Sequence, residues 1–436
     1  MNILVIGSGG REHAICSAFA RSGHVTKVFC ASGNAGIAEI AECVDIMPEQ
    51  IDQLAAFAHA NAIDLTFVGG EVPLALGIAD KFESSGLPVI GARKQAARLE
   101  ASKSFAKDFM LRHRIPTARY KTANSTMEAI EFLRSGEFGG ENARVVIKAD
   151  GLAAGKGVVV AENRADAIVA IHEMPGRVGI DSAEKVVLEE CLFGREVSLL
   201  MFADGVDFAL MPPTRDHKRI GEGDTGPNTG GMGTFTDSSL LTDQQTGQII
   251  REIIQPTLKG CVDEGFPFRG ILFLGLMLTD PARNATDMEW VPSKGPKLLE
   301  YNVRFGDPET QSILVRLKTD IVEICEAMLA GTLDKTPISW HEGNSATIVL
   351  ATKGYPVKPS TGDIIYGIKN AQLHDDISIF HAGTSKNDDE LVTSGGRVLG
   401  VTAIADNLPE ALENAYKAVN DIFWEGLQYR KDIGQS

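Results

Sequence analysis

Short apolar runs alternate with amphipathic stretches over the first 100 residues of the chain. Ile3–Ile6 and Leu65–Val68 have the length and composition of buried strands, and Arg11–Ser22 and Ile51–Asn61 show helical spacing. Strands that alternate with helices through short turns are typical of a parallel sheet covered on both faces. We therefore expect residues 1–101 to form a doubly wound α/β domain with its ligand at the carboxyl ends of the strands.

The pattern changes after residue 101 and predicts three further units. Residues 102–190 begin with a helix and continue, at about 120–188, into β-branched runs joined by polar, Gly-bearing segments, which predicts a small α+β module. Residues 191–330 hold longer strands, and residues 331–436 return to short strands before a final helix. The longer predicted helices are Val72–Ser85, Lys103–His113, Asp243–Glu264 and Leu408–Trp424.

Size and composition place the chain among globular proteins of several domains. It has 436 residues, of which 44% are hydrophobic and 23% are charged. The formal net charge of −16 argues against a nucleic-acid-binding protein, since no dense run of Lys and Arg offsets it. No apolar stretch reaches the roughly 20 residues that span a bilayer, and no signal-peptide pattern is present. Six scattered cysteines show neither a C-x-x-C pair nor a disulfide framework, so we expect a reduced, soluble, cytoplasmic enzyme.

The first candidate site is the glycine turn GSGGREHA, residues 7–14, which follows the first predicted strand. Backbone N–H groups at a strand-to-helix turn can face an anion, which suits a dinucleotide or a phosphorylated sugar. Glu12 takes the third glycine position of a dinucleotide fingerprint, and no acid ends the second strand to hold a ribose. We favour a phosphate site with Gly9, Gly10 and Arg11 as donors. The alternative is a turn that serves packing alone.

The second candidate site is the glycine-rich hairpin in VVIKADGLAAGKGVVV, residues 145–160. It is not a Walker P-loop, because Gly157 follows Lys156 where Ser or Thr would stand, and a strand follows where a helix would. Such a hairpin can still cover a polyphosphate and donate N–H groups to it. We predict that Lys148 reaches the α-phosphate and Lys156 the terminal phosphates, whereas the alternative is a flexible hairpin with solvated lysines. The other glycines of this loop are Gly151 and Gly155.

Acidic residues follow the hairpin in VLEECLFGREVS, residues 187–198. Glu189 lies at the end of a predicted strand, and Leu192 and Glu196 come shortly after it. A surface acid pair is the commoner explanation of such a pattern. Beside a hairpin that covers phosphates, the same segment suits an adenine-binding hinge with a ribose-binding acid.

The loop DHKRIGEGDTGPNTGGMG, residues 216–233, combines charge with Gly, Pro and Asn and has little to bury. Loops of this length inside compact proteins are usually functional or disordered. A disordered linker would rarely mix Asp, His, Lys and Arg so closely with a glycine-rich end. We therefore predict a substrate-binding loop.

A polar face is predicted on the strand Lys297–Val303. Alternation places Glu300 and Asn302 on one face, and two hard oxygen ligands side by side suit Mg²⁺ bound to ATP phosphates. Arg304 follows on the same face, where it can stabilise charge on a transferring phosphoryl group. The alternative, an edge strand with a polar outer face, does not account for the loop FGDPETQ that follows.

The ordered set of motifs resembles the phosphoribosylamine–glycine ligases, or glycinamide ribonucleotide synthetases, a family of the ATP-grasp superfamily. The motifs occur in the family's order over essentially the whole chain. Besides the segments above, they are SGNAG (32–36), VGGEVPL (68–74), SKSFAKDF (102–109), NVRFGDPETQ (302–311), FHAGT (380–384), SGGRVLGVTA (394–403) and RKDIG (430–434).

The resemblance implies a multidomain ATP-grasp fold and a ligase of purine biosynthesis, which joins glycine to 5-phosphoribosylamine while ATP becomes ADP and phosphate. It also implies Mg²⁺ or Mn²⁺ as cofactor and a monomer that binds small molecules, without a nucleic acid or membrane partner. By matching positions, the resemblance assigns the metal to Glu300 and Asn302 and the reaction centre to Asp216, Asn228 and Arg304. It assigns phosphoribosylamine to Gly9, Gly10, Arg11, Asn34 and Glu71. The residues that it assigns to ATP are Lys103, Lys148, Gly151, Gly155, Lys156, Gly157, Glu189, Leu192 and Glu196.

The chemistry of that reaction accounts for these parts. An amine does not displace oxide from a carboxylate, so phosphorylation must first turn that oxygen into a leaving group. The resulting glycyl phosphate is destroyed by water, and a mobile lid at about 120–188 would exclude water from it.

Two features depart from the wider pattern. The predicted strand Ile271–Leu278 lacks the acid that many ATP-grasp enzymes offer to the metal, and the connection 281–296 is longer than expected. Another ATP-grasp ligase or carboxylase is one alternative, against which the GSGGREHA and SGNAG loops argue. A non-catalytic nucleotide sensor is the other, and it would not need Arg304.

Overall fold

The computed structural model describes residues 1–152, 157–179, 183–279 and 295–435. Its N-terminal part is a sheet of the order β3-β2-β1-β4-β5 in which every pairing is parallel. These strands are β1 Asn2–Gly7, β2 Lys27–Ser32, β3 Glu42–Val44, β4 Leu65–Val68 and β5 Val89–Ile90. The doubly wound α/β prediction is confirmed. Because β1 is central, the turns after β1, β2 and β4 meet at one edge of the sheet.

The helices of this part follow the predicted periodicity with one exception. The predicted helix Val72–Ser85 is two helices, because Gly77 between them adopts a φ of +97°, a left-handed conformation that favours glycine. The helices are α1 Gly10–Ala20, α2 Ile51–Ala60, α3 Glu71–Leu76, α4 Ile78–Ser84, α5 Lys94–Ala101 and α6 Lys103–Arg112.

A small antiparallel sheet with two helices forms the next unit. Its order is β6-β9-β7-β8, and its own hydrophobic cluster, which includes Ile147 and Leu188, lies between the sheet and the helices. The elements are β6 Tyr120–Ala123, α7 Thr126–Arg134, β7 Val145–Ala149, β8 Val158–Ala161, α8 Arg164–Val178 and β9 Val186–Glu190. This is the α+β module predicted at about 120–188.

A large antiparallel sheet runs through the rest of the chain. Among the described residues its order is β17-β16-β10-β12-β15-β18-β22-β19, and β11 also pairs with β10. Strands from both sides of residue 331 therefore belong to one sheet. Its strands are β10 Gly194–Asp204, β11 Phe208–Leu210, β12 Thr214–Asp216, β15 Gly233–Thr236, β16 Arg269–Thr279, β17 Gly295–Asn302, β18 Asn344–Ala351, β19 Ile377–His381 and β22 Arg397–Ala405.

Two hairpins and several helices complete the fold. The predicted helix Asp243–Glu264 contains a π-helical segment, Ile250–Ile254, between two α-helices. The hairpin strands are β13 Arg219–Gly221 with β14 Thr225–Asn228, and β20 Thr384–Asn387 with β21 Glu390–Thr393. The helices are α9 Asp243–Ile249, α10 Gln255–Asp263, α11 Glu309–Leu314, α12 Ile321–Ala330, α13 Ile368–Ala371 and α14 Leu408–Val419, which ends earlier than the predicted Trp424. In the described parts of the chain, no helix is both long and apolar enough to cross a bilayer.

Candidate active site

The glycine turn after β1 binds the carboxylate of Glu12, which lies in the first turn of α1. The backbone N–H of Gly9 donates to Oε2 of Glu12 at 2.7 Å, and Nε of Arg11 donates to Oε1 at 2.7 Å. Gly7 has a φ of +133°, and a Cβ atom there would lie 2.6 Å from the Glu12 side chain. Glu12 is buried at the third glycine position, where a dinucleotide-binding turn has a glycine for close packing of helix on strand. This geometry agrees with the argument against a dinucleotide.

Arg11 points from the glycine turn towards the segment that follows β17. Its Nη1 atom donates to the backbone oxygen of Phe305 at 3.0 Å and lies 3.9 Å from Oε2 of Glu71. Burial alone would raise the pKa of Glu71, but the charges of Arg304 and Arg11 outweigh it and lower that pKa to about 2. Predicted substrate residues therefore meet the predicted catalytic arginine at the edge of the parallel sheet.

Asn34 joins three segments through its side chain. Its Nδ2 atom donates to the backbone oxygens of Ser8 and His381, both at 2.8 Å. Its Oδ1 atom accepts from the backbone N–H groups of Gly36 and Ile37, both at 2.9 Å. With these bonds Asn34 fixes the turn after β2 against the glycine turn and against β19.

Strand β17 brings the predicted metal ligands close to Arg304. The Nη2 atom of Arg304 donates to Oδ1 of Asn302 at 3.3 Å and lies 2.8 Å from Oε1 of Glu100. The Nζ atom of Lys103 donates to Oε2 of Glu300 at 3.3 Å. Burial alone would raise the pKa of Glu300, but nearby lysines, Lys103 first, lower it. Glu300 is therefore an ionised carboxylate beside a neutral amide oxygen.

A buried carboxylate between two lysines connects the small sheet to β17. Oε2 of Glu189 accepts from Nζ of Lys107 at 2.9 Å, and Oε1 forms an ion pair with Nζ of Lys148 at 2.8 Å, without hydrogen-bond geometry. Lys148 also donates to the backbone oxygen of Leu299 at 3.1 Å, at a β-bulge of β17. The Glu189 side chain, predicted at the adenosine site, thus faces lysines in the interior.

The hairpin that was predicted to cover phosphates is bonded at its base to the start of α6. The backbone N–H of Ser104 donates to Oδ1 of Asp150 at 3.0 Å, and the Ser104 hydroxyl donates to Oδ2 at 2.6 Å. The hydroxyl of Ser102 also donates to Oδ1, at 3.0 Å. This cluster holds the base of the hairpin beside Lys103, which is the first residue of α6.

Part of the hairpin lies outside the described residues. Gly151 and Gly157 are described, and the backbone N–H of Ala149 donates to the oxygen of Gly157 at 2.8 Å. Gly155 and Lys156 are not among the described residues, and neither is most of the connection 281–296.

The other two predicted adenosine residues are Leu192, in the connection between β9 and β10, and Glu196 on β10. Leu192 is buried in a small apolar cluster with Ala118 and Met277, which suits the face of a purine ring. The half-exposed Glu196 on β10 accepts from Nζ of Lys218 at 3.0 Å. An apolar wall and an accessible carboxylate lie within four positions of each other.

Asp216 begins the predicted substrate loop with an unpartnered acceptor. Its Oδ1 atom is buried and has no hydrogen-bond partner among the described residues. Burial and the charge of Glu309 raise the pKa of Asp216 well above its usual range. Asn228 lies at the end of β14, across the hairpin from Arg219.

The glycine-rich end of the substrate loop packs tightly against the segment after β17. Gly231 has a φ of +116°, and a Cβ atom there would lie 2.5 Å from Cδ of Pro308 and 2.7 Å from Oδ1 of Asp216. A side chain at this position would push the loop away from FGDPETQ, so glycine is required for the approach.

Arg397, in the C-terminal part of the chain, bonds the substrate loop to the segment after β17. It donates to the backbone oxygens of Gly230 and Asp307 at 2.7 and 2.6 Å, and to Oδ2 of Asp307 at 2.8 Å. The other oxygen of Asp307 accepts from Nε2 of Gln311 at 2.7 Å. A Cβ atom at Gly10 would lie 2.7 Å from that same nitrogen, so the glycine turn abuts this cluster.

Three family models match the chain in order. They describe the N domain of phosphoribosylglycinamide synthetase at residues 1–100, its ATP-grasp (A) domain at 101–310 and its C domain at 345–436. The chain belongs to this family. As a phosphoribosylglycinamide synthetase family member it is an ATP-grasp ligase, and the resemblance noted in the sequence is confirmed.

Curated relatives cover the whole chain. Phosphoribosylamine–glycine ligases of Vibrio vulnificus (strain CMCP6) and Halalkalibacterium halodurans are 43% and 46% identical, over 100% of this chain and 98% and 96% of their own lengths. The solved phosphoribosylamine–glycine ligase of Thermotoga maritima is 33% identical with a TM-score of 0.82, over 99% of this chain and 100% of that one. A biotin carboxylase of Campylobacter jejuni, 14% identical with a TM-score of 0.71 over 98% of this chain and 92% of its own, shares the fold alone.

Several residues of this family member were not predicted at the site. Lys107 lies four residues after Lys103 on α6, and helical spacing could have indicated it. Arg397 and Asp307 stand in recognised motifs, but they are 90 positions apart, and no local pattern links them. Glu100 gives no sequence signal, because its partner Arg304 becomes a neighbour only through the fold.

Proposed function

We propose that this chain joins glycine to 5-phosphoribosylamine, giving glycinamide ribonucleotide, ADP and phosphate through a glycyl phosphate intermediate. Contact between Arg304 and Glu71, at 3.2 Å, is the observation that carries the proposal. It connects the phosphoryl-transfer strand β17 to the sheet edge where the glycine turns meet. A ligase with two substrates needs such a junction, because the acyl phosphate must form where the amine can reach it.

ATP lies, in this proposal, between the small sheet and β17. Lys148 and Lys103 bind its phosphates, Leu192 contacts the adenine, and Glu196 receives the ribose hydroxyls. Arg304 stabilises the charge of the phosphoryl group as it passes to the glycine carboxylate. Lys156, which the sequence assigns to the terminal phosphates, lies with Gly155 outside the described residues.

The acceptor side is formed by the parallel sheet and the substrate loop. Gly9, Gly10 and Arg11 hold the phosphorylated sugar, and Asn34 keeps their turn in place. When the amine attacks, the nitrogen loses a proton and the phosphate departs from the carbonyl carbon. Asp216, a buried carboxylate made more basic by burial and by the charge of Glu309, takes that proton. Asn228 orients the glycine on the same loop.

Glu300 and Asn302 fit a divalent cation, because an ionised carboxylate and an amide oxygen stand two positions apart on β17. We infer Mg²⁺ or Mn²⁺ there, which would offset the charge of the ATP phosphates. Strand β16 places Gly275 opposite Glu300, so the metal shell takes no carboxylate from that position.

Other expectations from the resemblance remain proposals. The enzyme is a cytoplasmic monomer, with units at 1–101, 102–190, 191–330 and 331–436, of which the second includes a mobile lid. The monomer is an expectation from family membership.

An ADP-release assay tests the proposal. Release should require ATP, glycine and freshly made phosphoribosylamine together. Bicarbonate or another carboxylic acid in place of glycine should give background rates. ADP release that does not depend on glycine, or does not depend on phosphoribosylamine, would contradict the assignment.

A further inference from the structure

The segment RKDIG, residues 430–434, packs beneath the substrate loop. Arg430 is 1% exposed, and its Nε and Nη2 atoms each donate to an oxygen of Asp432 at 2.7 Å. Its Nη1 atom donates to Oδ1 of Asp224 at 2.7 Å and to the backbone oxygen of Arg219 at 3.1 Å. A buried guanidinium therefore bridges its own segment and the middle of the loop.

Two further bonds connect the same pieces. The backbone N–H of Gly223 donates to Oδ2 of Asp432 at 2.8 Å, and that of Gly434 donates to Nε2 of His217 at 3.3 Å. His217 can accept this bond because burial, with the charge of Arg430, lowers its pKa to about 4 and keeps it neutral. His217 directly follows Asp216, so the contact lies next to the first residue of the loop.

The turn at Asp224 is stabilised by residues outside the loop. Asp224 adopts a φ of +54°, a left-handed conformation that is costly for a residue other than glycine. Its carboxylate is bonded to Arg430, and the segment that carries Arg430 is fixed in turn by Tyr416, whose hydroxyl donates to the Arg430 backbone oxygen at 2.9 Å. The costly turn is thus held from outside the loop.

The loop so held carries side chains of the reaction centre. Asp216 begins the loop at its near end, and Gly231 packs against Pro308 at its far end. A displacement of the turn at Asp224 would be transmitted to both ends through the hairpin of β13 and β14.

We propose that Arg430 and Asp432 are positioning residues for the ligase reaction, which hold the loop 216–233 in the conformation that binds glycine and admits the attacking amine. The inference rests on the proposed function for the identity of the two substrates. It assigns a role to RKDIG that is separate from ATP binding, because none of its hydrogen bonds among the described residues reaches Lys103, Lys148 or β17.

Three variants test the inference in the full-length enzyme. Asp224→Asn removes the loop-side charge while asparagine tolerates the left-handed turn, Arg430→Gln removes the buried cation, and Lys431→Gln is a matched control at an exposed neighbour. KM for glycine, KM for phosphoribosylamine and kcat are measured, with the Kd for ADP from calorimetry.

Asp224→Asn and Arg430→Gln should raise the KM for glycine or phosphoribosylamine by roughly tenfold, as expected for loss of a charged hydrogen bond that positions a substrate loop. The Kd for ADP should stay within about twofold, and Lys431→Gln should match the wild type. If Arg430→Gln does not fold, the kinetics of Asp224→Asn test the inference. Unchanged KM values in that variant, or an equal loss of ADP affinity, would overturn the inference. A wild type without glycine-dependent and phosphoribosylamine-dependent turnover would instead overturn the proposed function.

Discussion

The Nζ atom of Lys148 lies 2.8 Å from Oε1 of Glu189, and both side chains are buried. Lys107 occupies the other oxygen of the same carboxylate at 2.9 Å. A buried carboxylate is tolerated when a cation is paired with it. One of two cationic partners can move away at low cost, because the other still compensates the buried charge. In the proposed ATP complex Lys148 turns to a phosphate, and Lys107 then remains as the partner of Glu189.

Replacing Lys107 with Met should weaken ATP binding. Without Lys107, Glu189 would hold Lys148 as its remaining cation, and the KM for ATP should rise roughly tenfold while kcat falls less. Lys259→Met, which removes an exposed lysine, is the control. A KM for ATP equal to that of the wild type in folded Lys107→Met would contradict this role.

Replacing Glu300 with Gln should remove most metal-dependent turnover. The amide keeps the size of the side chain but loses the charge that attracts the cation, so the rate at ordinary Mg²⁺ should fall at least about a hundredfold. Raising Mg²⁺ or Mn²⁺ should recover part of the rate. Thermal unfolding should be little changed, and near-normal activity at low Mg²⁺ would rule out the ligand assignment.

Isotope transfer should reveal the path of the carboxylate oxygen. Glycine labelled with ¹⁸O in its carboxylate should deliver one labelled oxygen to inorganic phosphate in each turnover. Label in AMP would indicate adenylation, and unlabelled phosphate would exclude glycyl phosphate. Arg304→Ala should slow this transfer much more than it weakens ATP binding, because its charge is needed most in the transition state.

His13 should make stability fall as the pH falls below neutrality. Burial, with the nearby His381, lowers the pKa of His13 from 6.5 to about 3, while the unfolded chain keeps the ordinary value. Between these values the unfolded state binds the additional proton, so acid favours unfolding in that window. In His13→Asn, which retains an acceptor for the His381 N–H, the loss in unfolding free energy from about pH 7 to about pH 5 should be smaller by about 1–2 kcal/mol.

Urea denaturation at the two pH values measures the His13 effect. His24→Asn, at an exposed position of the same domain, is the matched control. An identical pH dependence in His13→Asn and the wild type would show that His13 is not held neutral by the fold.

The parallel sheet and strand β17 could be predicted because their signals are local. Alternation of side chains placed Glu300 and Asn302 together, and strand–helix alternation gave the domain around β1. The helix break at Gly77 was also visible as a glycine, but glycine inside a helical pattern does not by itself specify a left-handed turn.

Burial and distant pairing could not be predicted. Glu189 has the sequence context of an accessible hinge acid, and only the fold, which brings Lys107 to it from 82 positions away, shows that its carboxylate faces the interior. Asn34 has the composition of a substrate ligand, yet its four hydrogen bonds are to backbone atoms of three segments. Such roles depend on which segments the fold brings together.

The shared sheet across residue 331 ties the last hundred residues to the catalytic core during folding. Strand β18 pairs with β15 on one side and with β22 on the other. A fragment that began at residue 331 would expose the whole β15-facing edge of β18, an open template for association between chains. The core and the C-terminal part should therefore unfold as one cooperative block, and fragments split at that boundary should aggregate when they are produced separately.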